Sequence, residues 1–112
     1  MIESEIVKSE ALTIIGIINY EPNSVVSVPI LKKSTGSISV VAFDSGEGLN
    51  EKITPFESFV QIIEGSAEIV IDGRSHLLKL GQGIVIPAHI SNYIKPNGKF
   101  KMITTTIKSG YE

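Results

Sequence analysis

Beyond residue 24 the chain reads as short apolar runs, each closed by turn residues. Val25 to Leu31 runs into the polar stop Lys32-Lys33-Ser34-Thr35-Gly36. Ser37 to Phe43 follows, with Ile38, Val40 and Ala42 alternating against Ser39, Val41 and Phe43. A period of two marks a strand with distinct faces. After the turn cluster Asp44 to Gly48, Ser58 to Ile63 and Ala67 to Ile71 are expected to pair around Gly65. Asp72-Gly73 is a two-residue hairpin signal, because a type I′ turn needs positive φ at both positions. Arg74 to Leu80 is its return strand. Gly81 and Gly83 bracket a turn, Ile84 to Ile86 is a short buried strand ended by Pro87, Asn92 to Lys95 is another, and Lys99 to Lys108 is a long final strand. Before residue 24, Ser9 is a candidate N-cap for a short helix near Ser9 to Ile18. A strand over Thr13 to Tyr20 competes with it, and Pro22-Asn23 closes either one.

Residue usage sharpens this reading. The chain holds 28 Ile plus Val but only 6 Leu. Branching at Cβ favours pleated surfaces over helices. Eight or nine closely spaced short strands suit an all-β sandwich or closed barrel, and closure removes exposed strand edges. A chain of 112 residues is expected to form one domain.

Charge and cysteine content remove several functions. The net charge is −2, and Arg74 is the single arginine. Lys95, Lys99 and Lys101 are expected to form a solvated face, so nucleic acid is not an expected partner. With no cysteine, disulfides, thiolate metal sites and cysteine nucleophiles are excluded. The acidic start does not resemble a signal peptide, and the run Ile14 to Ile18 is too short for a membrane span. A cytoplasmic protein without membrane contact is expected.

Two spaced patterns carry the candidate chemistry. One is Gly46, five residues, Lys52-Ile53-Thr54, three residues, Ser58, six residues, Gly65; the other, after fifteen residues, is Gly81, five residues, Pro87-Ala88-His89, two residues, Asn92. This frame resembles the cupin superfamily, and most closely its small conserved-barrel members. The resemblance covers most of the chain and includes "VVAFDSGEGL", "VQIIEGSAEIVIDG" and "LGQGIVIPA". It implies a double-stranded β-helix, a jelly-roll barrel with a core over about residues 24–108, within a single domain 1–112. It also implies an internal site near one open end, and a homodimer.

In metal-binding cupins the two motifs supply three His and a Glu. The corresponding positions here are Lys52, Thr54, Ser58 and Asn92. An ammonium, two hydroxyls and an amide are a poor set for a transition metal, so no metal and no other cofactor is expected. By strand alternation Lys52 and Thr54 share the inner face, with Glu51 and Ile53 opposite. Ser58 joins them above a floor including Val60, Ile62, Ile84 and Ile86. His89 is a further candidate at the rim. Glu57, beside the Pro55 bend, is a weaker one. His76 is expected at the surface or a subunit contact, and Tyr93 is expected to point away from Asn92.

Three functions follow. The first is a metal-free module that binds an anionic or carbohydrate-like small molecule through Lys52, Thr54, Ser58, Asn92 and His89. The second is a structural or partner-binding barrel with an unused pocket. The third is an enzyme, acting through an unconventional metal site or through Lys52 as base or Schiff-base nucleophile.

Overall fold

The computed structural model describes residues 6–108. It contains nine strands: β1 (Val25–Lys33), β2 (Gly36–Phe43), β3 (Leu49–Lys52), β4 (Glu57–Glu64), β5 (Ala67–Ile71), β6 (Arg74–Leu78), β7 (Gly83–Ile86), β8 (Asn92–Ile94) and β9 (Phe100–Ile107). They form two antiparallel sheets, one ordered β1-β2-β9-β4-β7 and the other β3-β8-β5-β6. This is the expected jelly roll.

The core lies between the sheets. Every second residue of β2 and β9 faces inward, placing Val41, Phe43, Phe100 and Met102 against Ala67, Ile69, Ile71 and Ile94 from the other sheet. Phe43 and Phe100 stack with ring centroids 4.2 Å apart and planes 11° apart, and both are fully buried. Full burial of side chains of this size contributes about 1.5–3 kcal/mol each.

Turn chemistry sets the connections. Asp72 and Gly73 have φ of +52° and +77°, as a type I′ hairpin between β5 and β6 requires. Gly65 differs from expectation. It does not join two paired strands, because β4 pairs with β7 and β9 while β5 pairs with β6 and β8. At Gly65, φ +75°, the chain crosses between sheets, and a Cβ there would sit 2.5 Å from the Lys99 carbonyl oxygen. Crossing lets the apolar faces of β4 and β5 meet through the core; side-by-side pairing would have left a second sheet to be built from elsewhere.

The N-terminal segment also departs from expectation. Neither a Ser9-capped helix nor a strand forms. Ser9 has φ +66°, and only a 3-10 turn at Ile14–Ile17 is present, without a side-chain cap. The segment covers the outer face of the five-stranded sheet, where Ile17, Ile18 and Tyr20 pack on Val40, Ala42 and Ile103. That cover overturns the reading of Lys101 as solvated. Lys101 is only 6% exposed. Its Nζ donates to the Ile15 carbonyl at 2.8 Å, lies 3.7 Å from Glu64 and sits 5.1 Å from the centre of the Tyr20 ring. The Tyr20 hydroxyl donates to Glu64 at 2.6 Å. Burial, then the Glu64 hydrogen bond and charge, hold the phenol well above its ordinary pKa. No helix among the described residues is long and apolar enough to cross a membrane.

Lys101 therefore tethers the N-terminal segment to the sheet. Lys101→Met should lower unfolding stability by about 2 kcal/mol, the value of a hydrogen bond from a charged donor plus the stranded carbonyl. It should also speed amide exchange over residues 14–20. An equal stability loss with unchanged exchange there would show that Lys101 is not the tether.

Candidate functional site

Strand pairing builds the site on the inner face of the five-stranded sheet. Because β9 is in register with β2 on one side and β4 on the other, inward residues line up in rows. Val41, Met102 and Ile62 form one row. Ser39, Thr104 and Val60 form the next, and Ser37, Thr106 and Ser58 the last. The face thus grades from the stacked phenylalanines to hydroxyls along one direction. Only on the β7 side does it stay apolar to the end, where Ile84 and Ile86 adjoin Val60 and Ser58.

A cavity of about 340 Å³ opens where the gradient turns polar. Val25, Val41, Leu49, Ile94 and Met102 supply much of its apolar wall, together with Val60 and Ile86. Its polar wall includes Lys52, Thr54, Ser58 and Asn92. Four of the five residues singled out from the two motifs thus meet in one cavity. Of the four expected floor residues, Val60 and Ile86 line it; Ile62 belongs to the packed core, and Ile84 packs against that core from its edge.

The polar groups differ in how well they are satisfied. Ser58 and Thr106 share a hydroxyl–hydroxyl hydrogen bond of 3.0 Å. The Thr54 hydroxyl donates to the Phe56 carbonyl at 3.1 Å and accepts from the Phe56 N–H at 3.4 Å, bracing the bend around Pro55. Asn92 is only 3% exposed. Its Nδ2 donates weakly to the carbonyls of Lys52 at 3.4 Å and Ile90 at 3.3 Å. Two facing carbonyls orient the amide, leaving Oδ1 on the other side, buried and, among the described residues, without a partner. An unpaired buried acceptor costs about 1–3 kcal/mol.

Lys52 is the direct strand partner of Asn92, so the two side chains lie on the same face. No carboxylate forms a salt bridge with it among the described residues. The residue as a whole remains exposed, but its surroundings withdraw enough water to hold the ammonium pKa below the ordinary lysine value.

His89 contributes differently from expectation. It is exposed, has φ +64° and does not line the cavity. Its backbone N–H donates to the Thr54 carbonyl at 2.7 Å. The left-handed conformation that lets this N–H reach Thr54 accompanies a side chain that stays outside. Glu57 is also exposed and absent from the cavity. His76 is half-buried in β6 opposite Ile69. Tyr93 lies on the other face of β8, along a shallow open groove of about 580 Å³ beside Gly46 to Glu51 that has no buried unpaired group. Sequence reading missed Ser27, Thr104, Thr106 and Phe56. The one signal for Thr104 and Thr106 was their two-residue spacing in phase with Phe100 and Met102.

The donor set does not fit a transition metal. Lys52 brings a positive charge, the Thr54 and Ser58 hydroxyls are engaged, and Asn92 offers one neutral oxygen. Among the described residues no three His, Asp or Glu side chains come together as a metal site.

Comparison with known proteins supports the architecture. No family model matches the chain. Protein SchB of Streptomyces halstedii is 30% identical over 66 residues, 58% of this chain and 48% of SchB, so the chain spans about half the length of this curated relative. A conserved Streptococcus pyogenes protein of unknown function superposes with a TM-score of 0.87 at 26% identity, covering 94% of this chain and 92% of that one. A cupin superfamily protein from Desulfitobacterium hafniense gives 0.85 at 24% identity, covering 96% and 98%. A cupin 2 conserved barrel domain protein from Leptotrichia buccalis gives 0.80 at 24% identity, covering 84% and 46%.

The unpaired Asn92 oxygen yields a test that separates a structural residue from a binding one. Asn92→Leu should change stability by less than about 1 kcal/mol, since losing two long hydrogen bonds is offset by removing the orphaned acceptor. A loss of about 3 kcal/mol in denaturant unfolding would mark Asn92 as a structural element instead.

Proposed function

We propose that this chain, which has the cupin fold, is a metal-free binding module whose barrel cavity takes an amphipathic small molecule with an acidic head. One observation carries this reading: among the described residues, a buried Asn92 Oδ1 with no donor stands beside a Lys52 ammonium with no counter-ion, at the lip of an apolar cavity. The two groups ask for complementary partners. Lys52 suits a carboxylate or similar oxyanion, and Asn92 Oδ1 suits a hydroxyl or N–H on the same molecule. The apolar wall takes a short hydrocarbon body. Cavities of roughly 300–1,000 Å³ with a few convergent polar groups are the usual build of small-molecule sites.

The chemistry sets the pH response. Because the folded-state pKa of Lys52 lies below its unfolded value, the charged form costs stability at neutral pH. That cost is relieved as pH rises past the folded pKa. A bound carboxylate reverses the bias by pairing with the ammonium. Between the titration of the ligand's own carboxyl group and the Lys52 pKa of the free protein affinity should therefore be level, and it should fall as pH climbs through the latter, at a pH below the ordinary 10.5.

Titration with hexanoate and 3-hydroxyhexanoate, followed by amide and methyl NMR, should shift Met102, Ile94 and Val60 along with Lys52 and Asn92. The hydroxy acid should bind more tightly. Lys52→Met should weaken either acid about tenfold or more and abolish the alkaline fall in affinity. Shifts confined to the outer surface, or a Lys52→Met protein that binds equally well, would discard the proposal.

The depressed Lys52 pKa favours a second reading, imine chemistry. The neutral amine would attack a ligand carbonyl carbon and expel water, and cyanoborohydride would reduce the C=N bond to a secondary amine. Hexanal with cyanoborohydride should then label Lys52 ahead of the other lysines by peptide mass mapping. Labelling spread evenly over the lysines would leave binding as the function.

A further inference from the structure

The hydroxyl end of the inner face extends past the cavity. Ser27, Pro29, Lys32, Ser37 and Ser39 line a second cleft of about 360 Å³ formed by β1 and β2 alone, so no residue of the four-stranded sheet lines it. Ser27 belongs to both the cleft and the cavity. Ser39 and Ser37 are the direct strand partners of Thr104 and Thr106, which line the cavity. The two spaces are therefore adjacent parts of one surface, and a ligand can run from one to the other over a floor of small hydroxyls.

That floor is available for bonding. Among the described residues, the Ser27, Ser37, Ser39 and Thr104 side chains make no hydrogen bond within the chain, whereas the neighbouring Ser58 and Thr106 hydroxyls satisfy each other. Each hydroxyl can donate and accept. Their short side chains leave room above the strands, which the long charged residues typical of a solvated strand face would fill. The buried, unpartnered Asn92 Oδ1 in the adjoining cavity independently calls for a donor from a bound molecule.

We infer that the ligand is bipartite: a hydrocarbon portion in the barrel, and a polyhydroxylated, sugar-like portion laid over the Ser27-Ser37-Ser39 apron towards Lys32. This rests on the binding reading above and specifies its ligand class. Polyols match the apron because both partners donate and accept at every position. A bare hydrocarbon acid would leave the cleft empty, and the absence of arginine there gives no forked site for a phosphate.

The probes are hexanoate, which can fill only the cavity, and hexyl β-D-glucuronide, which adds a hydroxylated ring and keeps a carboxylate for Lys52. Calorimetric titration of the full chain should show the glucuronide binding about tenfold tighter than hexanoate, the sum of two or more new hydrogen bonds. The double variant Ser37→Ala/Ser39→Ala should lose that advantage and keep hexanoate binding unchanged. Equal affinities in the unmodified protein would overturn the inference without recourse to any variant. So would a folded double variant that retains the glucuronide preference. In both cases hexanoate binding that responds to Lys52→Met keeps the cavity reading intact. If neither probe binds the unmodified protein, the cavity reading and the bipartite ligand fall together.

Discussion

The pairing of Phe100–Ile107 with two partners at once is the constraint on which the molecule depends. This strand is bonded to β2 along one edge and β4 along the other, so a shift of one residue would turn every inward side chain of the central strand outward. The stacked Phe43 and Phe100 lock that register at the buried end, because each ring occupies space that no polar neighbour in the alternation could fill. Once the register is set, Thr104 and Thr106 must face inward. The hydroxyl rows with Ser37, Ser39 and Ser58 follow from it.

Two lysines show how differently the fold surrounds the same charge. Lys101 is almost wholly buried, yet a carbonyl, a carboxylate and an aromatic face surround its ammonium. Its charge is used up in holding the N-terminal segment on the sheet. Lys52 is more exposed, has no anionic partner among the described residues, and stands next to an amide oxygen in the same condition. Burial of a polar group without a partner is costly. An unpaired buried acceptor and a partly desolvated ammonium share the lip of one apolar cavity, and the proposed ligand would answer both.

Local rules made much of the barrel legible. Alternation and Cβ branching located β1, β2, β4, β5 and β9 to within a few residues, and Asp72-Gly73 announced its hairpin. The resemblance carried by the spaced motifs implied one site for Lys52, Thr54, Ser58 and Asn92, and all four line one cavity. The failures share a cause. Gly65 carried a turn signal, but turn residues do not say whether the chain reverses beside itself or crosses to another sheet. No apolar run marks Leu49–Lys52 as a strand, because three of its four residues are exposed and its partner, β8, lies forty residues away. The lysine cluster looked solvated because nothing in Lys101 reveals that residues 14–20 fold back over it.

What the sequence determined by itself is most of the strands, their two faces and the identity of the groups at the motif positions, since these depend on period, branching and spacing along a few consecutive residues. Tertiary structure alone decided which strands are neighbours, that His89 offers its backbone rather than its ring, and that the Asn92 amide oxygen has no partner. Those outcomes depend on distances between segments far apart in the chain, where packing of the two sheets, and not local preference, sets which polar atoms are satisfied and which are left open.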